Sequence, residues 1–349
     1  MSKDEKLNKL LGYDVNELDE HDPQVDYPDT VAGRVLHIDG DFLAYHVSFD
    51  NETPFADMIH NHDVAVEILR LSAGAERTLL HLTASEGCKG SRYEIAIQSA
   101  YQINRVDKEK PKMLDAIKKW MEDSRGALNH INQEADDGLC QALWSAHAAG
   151  TPELAVLVSK DKDLWMCTGW HLDWDEKTLE YVDGFGYTSL DRSKSTPKIR
   201  GKGTKYFWSQ MLTGDAADSI KGLPKVSGDV LNKIKPTKAI TKALGIVNGD
   251  VTATAKQMDK ALDTLSERSP GACGAVLAST IIERLHNDRQ AYTVVSNMYK
   301  WYGENIGFVH WENDKPVPWK DVFLSEAQLL WMRREEGDND VEIFFEECK

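Results

Sequence analysis

The sequence has few cysteines and lacks any long apolar run. Cys88, Cys140, Cys167, Cys273 and Cys348 are scattered, with no CxxC pair and no Cys/His spacing typical of a zinc site. We therefore expect free thiols, as in a reducing compartment. No stretch approaches the roughly 18 consecutive apolar residues of a transmembrane helix, and the first residues lack the apolar segment of a secretory signal. These absences predict a cytoplasmic chain without a membrane partner.

The composition is that of a folded chain. Of its 349 residues, 41% are apolar and 28% charged, which suffices for a large core. The formal net charge of −16 is concentrated at the ends, because residues 1–30 and residues 335–349 each sum to −6. Residues 191–205 instead carry six Lys or Arg against one Asp, with Pro and Gly throughout, which predicts a mobile basic loop. This distribution leaves a nucleic-acid partner open despite the negative total.

Short apolar segments alternate with amphipathic segments through the first half of the chain. Buried strands are predicted at Arg34–Ile38, Thr78–Thr83 and Leu154–Ser159, and helices at residues 112–125 and 133–147. His37 and His81 fall within two of these strands and are expected to be packed. Strand–helix–strand repetition predicts an α/β fold, with a mainly parallel sheet and helices on its faces.

Four tight clusters of acidic residues lie in the middle of the sequence. They are IDGD (Asp39, Asp41), QEADD (Glu134, Asp136, Asp137), SKDKD (Asp161, Asp163) and TGDAAD (Asp215, Asp218). The first and the third directly follow buried strands, whose carboxyl ends share the edge of a parallel sheet where ligand sites form. Crowded carboxylates repel one another, so such a site needs cations. Oxygen ligands without Cys or His predict Mg²⁺ or Mn²⁺, and two such ions close together can activate water at a phosphodiester.

In order and spacing, these motifs resemble those of the 5′-nuclease family. EADDGL, S-x-DKD and GDxxDxIxG, after an initial IDGD, are similar to the motifs of flap endonucleases, the 5′-nuclease domain of bacterial DNA polymerase I and T7-type phage 5′→3′ exonucleases. The resemblance covers residues from about 34 to 300. It implies a PIN-like α/β core with helices on both faces and a helix–three-turn–helix DNA-binding region. It also implies a two-metal enzyme that hydrolyses phosphodiester bonds near DNA 5′ ends.

The resemblance further implies the metal ligands. They are Asp39, Glu134, Asp136, Asp137, Asp161, Asp163, Asp215 and Asp218, with Asp41 in a secondary role. The family usually has another carboxylate directly after the second strand. Here Ala84 stands near that place, and Glu86 is expected to substitute with its longer side chain.

The resemblance also implies cations beside the scissile phosphate. The arch segment of the family carries a Tyr-Lys-x-x-Arg motif, and this chain has Tyr101 and Arg105 at its two ends. Gln102 replaces the lysine, so Lys89 or Arg92 is expected to supply the missing positive charge. Such cations neutralise the charge that develops on phosphate oxygens.

Residues 214–234, GDAADSIKGLPKVSGDVLNKI, resemble the start of the helix–three-turn–helix region. The resemblance implies that this element holds duplex DNA through its backbone, with a K⁺ ion. The DNA-binding residues expected here are Lys221, Gly222, Lys225, Gly228 and Lys233, joined by Tyr101 of the arch. The implied partner is duplex DNA with a 5′ end, nick or flap, or an RNA–DNA hybrid, bound by a monomer.

The predicted organisation has four parts: an acidic N-terminal tail at residues 1–30, a nuclease core at 31–205 with an arch at about 85–125, a helical DNA-binding region at 206–306 and a C-terminal extension at 307–349. The acidic ends are expected to be mobile and to weaken DNA binding by repulsion. The alternative is that Ile343–Phe345 anchors the C-terminal end on the core.

Three functions are weighed. The leading one is a 5′→3′ exonuclease or flap endonuclease of phage DNA replication, primer removal or host DNA degradation, acting in the host cytoplasm if a phage encodes it. The second is a haloacid-dehalogenase-type phosphatase, which also has Asp-x-Asp after its first strand and would use Asp39 as a covalent nucleophile. The third is a non-catalytic DNA-structure-binding protein on the same fold.

Overall fold

A computed structural model of the chain describes residues 27–84, 91–105, 109–224, 274–337 and 339–349, together with residues 242, 254, 256, 257, 260 and 261. Most of the predicted N-terminal tail and most of the predicted helix–three-turn–helix lie outside these residues.

The described residues divide into two compact units. The first unit takes those within Met1–Gly90, Glu109–Asp183 and Met332–Glu335. The second unit takes those within Ser91–Lys108, Gly184–Trp331 and Glu336–Lys349.

Strands and helices are numbered here in chain order over the described residues. The strands are β1 (Val31–Asp39), β2 (Ala75–Thr83), β3 (Leu128–His130), β4 (Ala155–Val158), β5 (Gly169–Leu172), β6 (Leu179–Val182), β7 (Tyr187–Asp191), β8 (Lys198–Lys202), β9 (Phe308–Val309) and β10 (Pro316–Val317). The helices are α1 (Gly40–Ser48), α2 (Phe55–Ser72), α3 (Arg92–Ile95), α4 (Leu114–Arg125), α5 (Ala135–Ala148), α6 (Thr204–Thr213), α7 (Ala275–Glu283), α8 (Asp288–Asn305), α9 (Trp319–Leu330) and α10 (Asp340–Cys348).

The first unit is built on a six-stranded sheet with the order β3-β2-β1-β4-β5-β6. All neighbouring pairs are parallel except β5 and β6, which are antiparallel. In the register, Ile38 of β1 lies beside Leu80 on one side and Val158 on the other. All four residues of β4 are buried, which explains why its sequence is a continuous apolar run. The predicted α/β class with a mainly parallel sheet is confirmed.

Helices cover both faces of this sheet. Leu36 and Ile38 of β1 point to one face and join a core formed with side chains of α1, α2 and α4, including Leu43, Met58 and Ile117. On the other face, α5 packs across β1, β2 and β4.

A row of histidines crosses the sheet on the α5 face. The His37 and His81 rings are 3.0 Å apart between nitrogens, and His81 is at the same distance from His130. Burial lowers the pKa of His37 to about 4 and that of His81 to about 3, so both are neutral at pH 7. A Cβ at Gly138 would lie 2.3 Å from the His130 ring, so the glycine of EADDG permits the close approach of α5. The expected packing of His37 and His81 is confirmed.

The second unit contains a two-stranded ribbon that the sequence analysis missed. Strands β7 and β8 are antiparallel, with Asp191 opposite Lys198 and Tyr187 opposite Lys202. The prediction of a mobile loop across residues 191–205 is therefore wrong for Lys198–Lys202. Alternating Lys198, Ile199 and Arg200 carry the strand signal there, which the surrounding Pro and Gly obscured.

The C-terminal end forms α10 and packs on the second unit. Phe344 and Phe345 are each 6% exposed. The Phe344 ring stacks on Trp331 at 4.5 Å between centroids, and that of Phe345 stacks on Trp208 at 5.7 Å. The prediction of a mobile acidic tail is wrong for this segment, and the alternative of an anchored end is what the structure shows.

Candidate metal centre

The candidate site of the first unit lies at the edge of its sheet where the parallel strands have their carboxyl ends. From β1, the chain proceeds to β2 on one side of the sheet, while β4 pairs with β1 on the other side. Asp39 ends β1, and Asp161 follows β4 by three residues. In open α/β sheets, ligands bind where the strand order reverses, outside the carboxyl ends of the strands. Both residues therefore lie at the place that this topology favours for a ligand.

Asp39 is held by hydrogen bonds from two sides. Its Oδ1 accepts from the backbone N–H of Phe42 at 2.9 Å, so the side chain caps the start of α1. Its Oδ2 accepts from the Ser159 hydroxyl at 2.6 Å. The Ser159 oxygen accepts in turn from the Asp161 N–H at 2.9 Å, which ties the ends of β1 and β4 together. Ser159 is a residue that sequence reasoning missed, although it stands inside S-x-DKD. A Cβ at Gly40 would lie 2.7 Å from the His81 carbonyl oxygen, so glycine is needed where α1 begins.

The start of α5 brings further acids to the same edge. The Thr83 hydroxyl, at the end of β2, accepts from the backbone N–H of Ala135 at 2.9 Å, which fixes the first turn of the helix beside the strand end. Glu134 immediately precedes α5, and Asp136 lies in its first turn. Negative side chains are favourable at a helix N-terminus because the helix dipole is positive there.

The pKa values show that these carboxylates crowd one another. Burial raises the pKa of Asp39 to about 7, and the charges of Asp41 and Asp161 add to the rise. Burial also raises the pKa of Asp136 well above its usual value, reinforced by Asp39, Asp161, Glu134 and Asp41. We call these five residues the acid edge. Their mutual repulsion is the electrostatic signature of a site that a cation would stabilise.

Lys118 of α4 contributes a positive charge to the acid edge, and the sequence analysis did not identify it. Its Nζ is 2.7 Å from Asp41 Oδ1 and donates to the Thr83 carbonyl oxygen at 2.9 Å. Asp41 Oδ2 also accepts from the Thr83 N–H at 3.0 Å. Nothing in the sequence distinguishes Lys118 from Lys119, whose more exposed side chain pairs with Asp123.

Asp137 stands apart from its neighbour Asp136. It is fully buried, and its Oδ2 accepts from the Glu134 N–H at 3.3 Å, which completes a capping box. Its Oδ1 accepts from the Arg333 N–H at 3.1 Å, and the Arg333 side chain lies 4.0 Å from Oδ2. These bonds join α5 to the 332–335 segment of the same unit. The role of Asp137 as a metal ligand stays a prediction.

Asp163 has a lysine partner next to it in the chain. Its Oδ1 lies 2.7 Å from the Lys162 Nζ, and its N–H donates to Asp161 Oδ1 at 2.8 Å. The residue is 7% exposed and begins a turn of 3₁₀ helix. Its part in a metal site also stays a prediction.

Asp215 and Asp218 belong to the second unit. Asp215 pairs through its backbone with Ile220, which closes the TGDAADSI turn. The Asp218 carboxylate forms an ion pair with Arg105 and accepts from Gln102 Nε2 at 3.2 Å and from the Tyr101 hydroxyl at 3.4 Å. Their expected role at a second metal ion stays a prediction.

The predicted arch residues therefore bind the turn that contains Asp218. The Gln102 N–H also donates to the Asp218 carbonyl oxygen at 2.9 Å. Tyr101 is 4% exposed, and its ring makes an edge-to-face contact with that of Tyr93. Arg105 remains about half exposed, and a phosphate contact by Arg105 stays a prediction.

Arg92 is also enclosed. It is 1% exposed and donates to the Trp331 carbonyl oxygen at 3.2 Å. A phosphate contact by Arg92 stays a prediction. Lys89, the other candidate for the positive charge that Gln102 lacks, lies outside the described residues. The same is true of four other predicted site residues: Glu86, Lys225, Gly228 and Lys233.

Lys221 and Gly222 adjoin a buried acid that the sequence analysis missed. Glu326 of α9 is 1% exposed, and its Oε2 accepts from the Gly222 N–H at 2.7 Å. Burial raises the pKa of Glu326 to about 7, against the opposing hydrogen bonds from Gln98, Gly222 and Lys221. Gln98 also donates to the Gly222 carbonyl oxygen at 2.8 Å. Glu326 thus anchors the chain just before the predicted DNA-binding turn.

The chemistry of the acid edge fits a divalent metal ion. All of its donors are carboxylate oxygens, the ligands preferred by Mg²⁺ and Mn²⁺. Within the described part of the chain, no three His, Cys, Asp or Glu side chains are arranged to hold one ion as they stand. Repelling carboxylates are expected to draw closer only around a cation. Over the residues that the structure describes, no helix is long and apolar enough to cross a membrane.

Of three comparisons with known proteins, one finds similar chains. No protein-family model and no curated protein matches it. Among solved structures, it is similar to the bacteriophage T5 D15 protein co-crystallised with metal ions, at 14% identity and a TM-score of 0.39, over 85% of this chain and 98% of the other. A substituted bacteriophage T5 flap endonuclease, in a pseudo-enzyme–product complex with DNA and metal ions, gives 12% identity and a TM-score of 0.39 over 85% and 99%. The T5 5′-exonuclease with bound zinc gives 15% identity and a TM-score of 0.39 over 78% and 98%.

Proposed function

We propose that the chain is a divalent-metal-dependent 5′ nuclease that hydrolyses phosphodiester bonds near the 5′ ends of duplex DNA. The observation that carries the proposal is the acid edge. Five carboxylates from β1, α1, the start of α5 and the segment after β4 share one edge, where burial, reinforced by their mutual repulsion, raises the pKa of Asp39 and Asp136. Oxygen-only donors at a topological switch point suit a hard cation. The order and spacing of the motifs that supply them point to 5′ nucleases.

The residues of the acid edge would hold one or two Mg²⁺ or Mn²⁺ ions. When bound, such ions supply a nucleophilic water and stabilise the oxygen that leaves the phosphodiester. The protein's own part is positioning. Ser159 and the start of α1 orient the Asp39 carboxylate. The Thr83 hydroxyl accepts a hydrogen bond from the first turn of α5, and the Thr83 carbonyl oxygen accepts one from Lys118.

Asp137, Asp163, Asp215 and Asp218 remain proposed contributors to the metal ions, and Arg105 to the scissile phosphate. The proposed DNA site at Lys221, Gly222 and the residues after them, with a K⁺ ion, rests on motif resemblance alone. We also propose that the substrate presents a 5′ end, nick or flap in DNA or an RNA–DNA hybrid, and that the enzyme acts as a monomer in phage replication, primer removal or host DNA degradation.

The test uses duplex DNA labelled at the 5′ end or at the 3′ end, with blunt, nicked and flapped forms. With Mg²⁺, we expect short labelled products from the 5′-labelled strand and progressive shortening of the 3′-labelled strand. Addition of EDTA should abolish cleavage of the 5′-labelled and the 3′-labelled strands, and so should the Asp136→Asn substitution. Asp115→Asn, at an exposed acid of α4, is the matched control and should cleave as wild type does.

Two outcomes would overturn the proposal. Hydrolysis of p-nitrophenyl phosphate without cleavage of DNA would favour the phosphatase with Asp39 as nucleophile. DNA binding without cleavage, in Mg²⁺ or in Mn²⁺, would favour a non-catalytic binding protein.

A further inference from the structure

The ribbon of β7 and β8 in the second unit has one outer face that is polar and charged. Side chains alternate between the faces of a strand, so Lys198, Arg200 and Lys202 of β8 share one face. The register places Lys202 opposite Tyr187 and Arg200 opposite Ser189 on β7. The exposure alternates in the same way, since Tyr187, Lys198 and Arg200 are exposed while Ile199 between the two cations is half-buried. Tyr187 is 52% exposed.

The inner face of the ribbon packs against two helices of the same unit. Strand β8 packs on α6, and β7 packs on α7. A Cβ at Gly201 would lie 3.2 Å from the Cβ of Tyr206 on α6, which shows how closely this face meets the helix. The outer face is therefore the face of the ribbon that α6 and α7 leave uncovered.

The charge of the ribbon opposes that of the whole chain. Residues 191–205 carry six Lys or Arg and one Asp, within a chain of net charge −16. The one acid, Asp191, is bound within the ribbon, since its Oδ2 accepts from Arg200 Nε at 2.8 Å and its Oδ1 from the Ser193 N–H at 2.8 Å. Lys198 and Lys202 flank that pair on the same strand.

The spacing of these cations suits a polyanion with a regular repeat. Neighbouring residues on the same face of a strand are about 6.8 Å apart. This distance is comparable to the separation of successive phosphates along one nucleic-acid strand. The exposed Tyr187 ring beside Lys202 adds an aromatic surface of the kind that packs on sugars and bases. A row of cations with an aromatic at one end favours a nucleic-acid backbone over a protein partner.

We propose that the outer face of the ribbon, formed by Tyr187, Lys198, Arg200 and Lys202, binds the sugar–phosphate backbone of a DNA strand. This inference rests on the proposed function, which supplies DNA as the partner. The contact is independent of base sequence, because phosphates carry no sequence information. It adds a DNA surface on residues that the motif resemblance leaves without a role.

The test is the salt dependence of duplex binding by the full chain, measured in EDTA so that no cleavage occurs. The main variant combines Lys198→Ala with Lys202→Ala and leaves the Arg200–Asp191 pair intact. Each lost phosphate contact should reduce the slope of log affinity against log salt by about 0.9, so we expect a decrease of about 2 and weaker binding at low salt. Lys198→Arg with Lys202→Arg should keep the wild-type slope.

The matched control combines Lys300→Ala with Lys315→Ala, two exposed lysines of the same unit. The control should bind DNA with the wild-type slope, because it removes the same charge from elsewhere. If the ribbon variant and the control lower the slope equally, only total charge matters and the ribbon assignment is overturned. An unchanged slope in the ribbon variant overturns it too. If the wild type itself binds no DNA, the proposed function fails instead.

Discussion

Asp136 in the first unit and Asp218 in the second both belong to Asp-rich motifs, but the protein surrounds them differently. Asp218 has an arginine, a glutamine and a tyrosine as partners. Burial raises the pKa of Asp136, and the charges of its carboxylate neighbours Asp39, Asp161, Glu134 and Asp41 raise it further. A carboxylate that the protein neutralises itself can serve structure, whereas crowded carboxylates are tolerated where a ligand brings the charge. The contrast favours the acid edge of the first unit as the cation site that we propose.

The largest expected effect is a loss of DNA cleavage, and it should distinguish the adjacent acids Asp136 and Asp137. Asp136→Asn should lower DNA cleavage more than about 100-fold, because it removes a ligand of the metal ions. Its free energy of unfolding in EDTA should not fall, since a repelling charge is lost. Asp137→Asn should lower the free energy of unfolding by about 1–2 kcal/mol, because the Glu134 and Arg333 N–H groups lose a charged acceptor.

Urea denaturation in EDTA and initial rates of cleavage measure both variants. Full loss of cleavage in Asp137→Asn with unchanged stability would support the ligand role proposed for Asp137, whereas lower stability with cleavage retained would make Asp137 structural.

Glu326 tests a buried acid outside the acid edge. Its pKa is raised to about 7 in the folded chain, so the folded state binds the proton more tightly than the unfolded state does. The free energy of unfolding should therefore fall as the pH rises from about 4.5 to about 7, by about 3 kcal/mol. Glu326→Gln should remove this contribution and leave that of Asp39, whose pKa is also raised to about 7. Urea denaturation from pH 4.5 to 8 at constant ionic strength measures it, and parallel curves for the two proteins would show that Glu326 does not titrate in this way.

Lys118 tests how a positive charge of the protein itself affects stability and metal binding at the acid edge. Lys118→Met should lower the free energy of unfolding in EDTA by about 1 kcal/mol, because Asp41 loses its cation. The same change should tighten Mn²⁺ binding several-fold, since a competing positive charge is gone. Lys119→Met, at an exposed lysine of the same helix, is the control. Weaker Mn²⁺ binding in Lys118→Met would instead show that Lys118 positions Asp41 for the ion.

The smallest effect concerns Arg105. Arg105→Ala should lower the free energy of unfolding by at most about 1 kcal/mol, because its ion pair with Asp218 is half exposed. Arg192→Ala, at an exposed arginine of the same unit, should leave stability unchanged. A loss of cleavage without any loss of stability in Arg105→Ala would support the phosphate contact that the family motif implies.

Much of the first unit was predictable from its sequence. The apolar runs of β1, β2 and β4 determine the sheet, and the acids that follow β1 and β4 mark the edge proposed as the site. The partners that orient those acids were not predictable. Ser159, Thr83 and Lys118 are ordinary residues until the fold places them beside Asp39 and Asp41.

The second unit was harder to predict, because its charged residues have two roles that look alike in sequence. Arg105 and Arg92 read as phosphate contacts, yet one pairs with Asp218 and the other is buried against Trp331. The C-terminal end reads as an acidic tail because its charge hides the Phe344 and Phe345 pair, whose burial outweighs the exposed acids.

The most direct test is calorimetric titration of the metal-free chain with Mn²⁺, at constant ionic strength and in the absence of DNA. The wild type should bind the ion, and a chain with both Asp39→Asn and Asp136→Asn should lose that binding while remaining folded. Asp215→Asn with Asp218→Asn should keep at least one bound ion. Equal Mn²⁺ binding by the wild type and the Asp39→Asn, Asp136→Asn chain would contradict the account, because the acid edge would then not be the metal site.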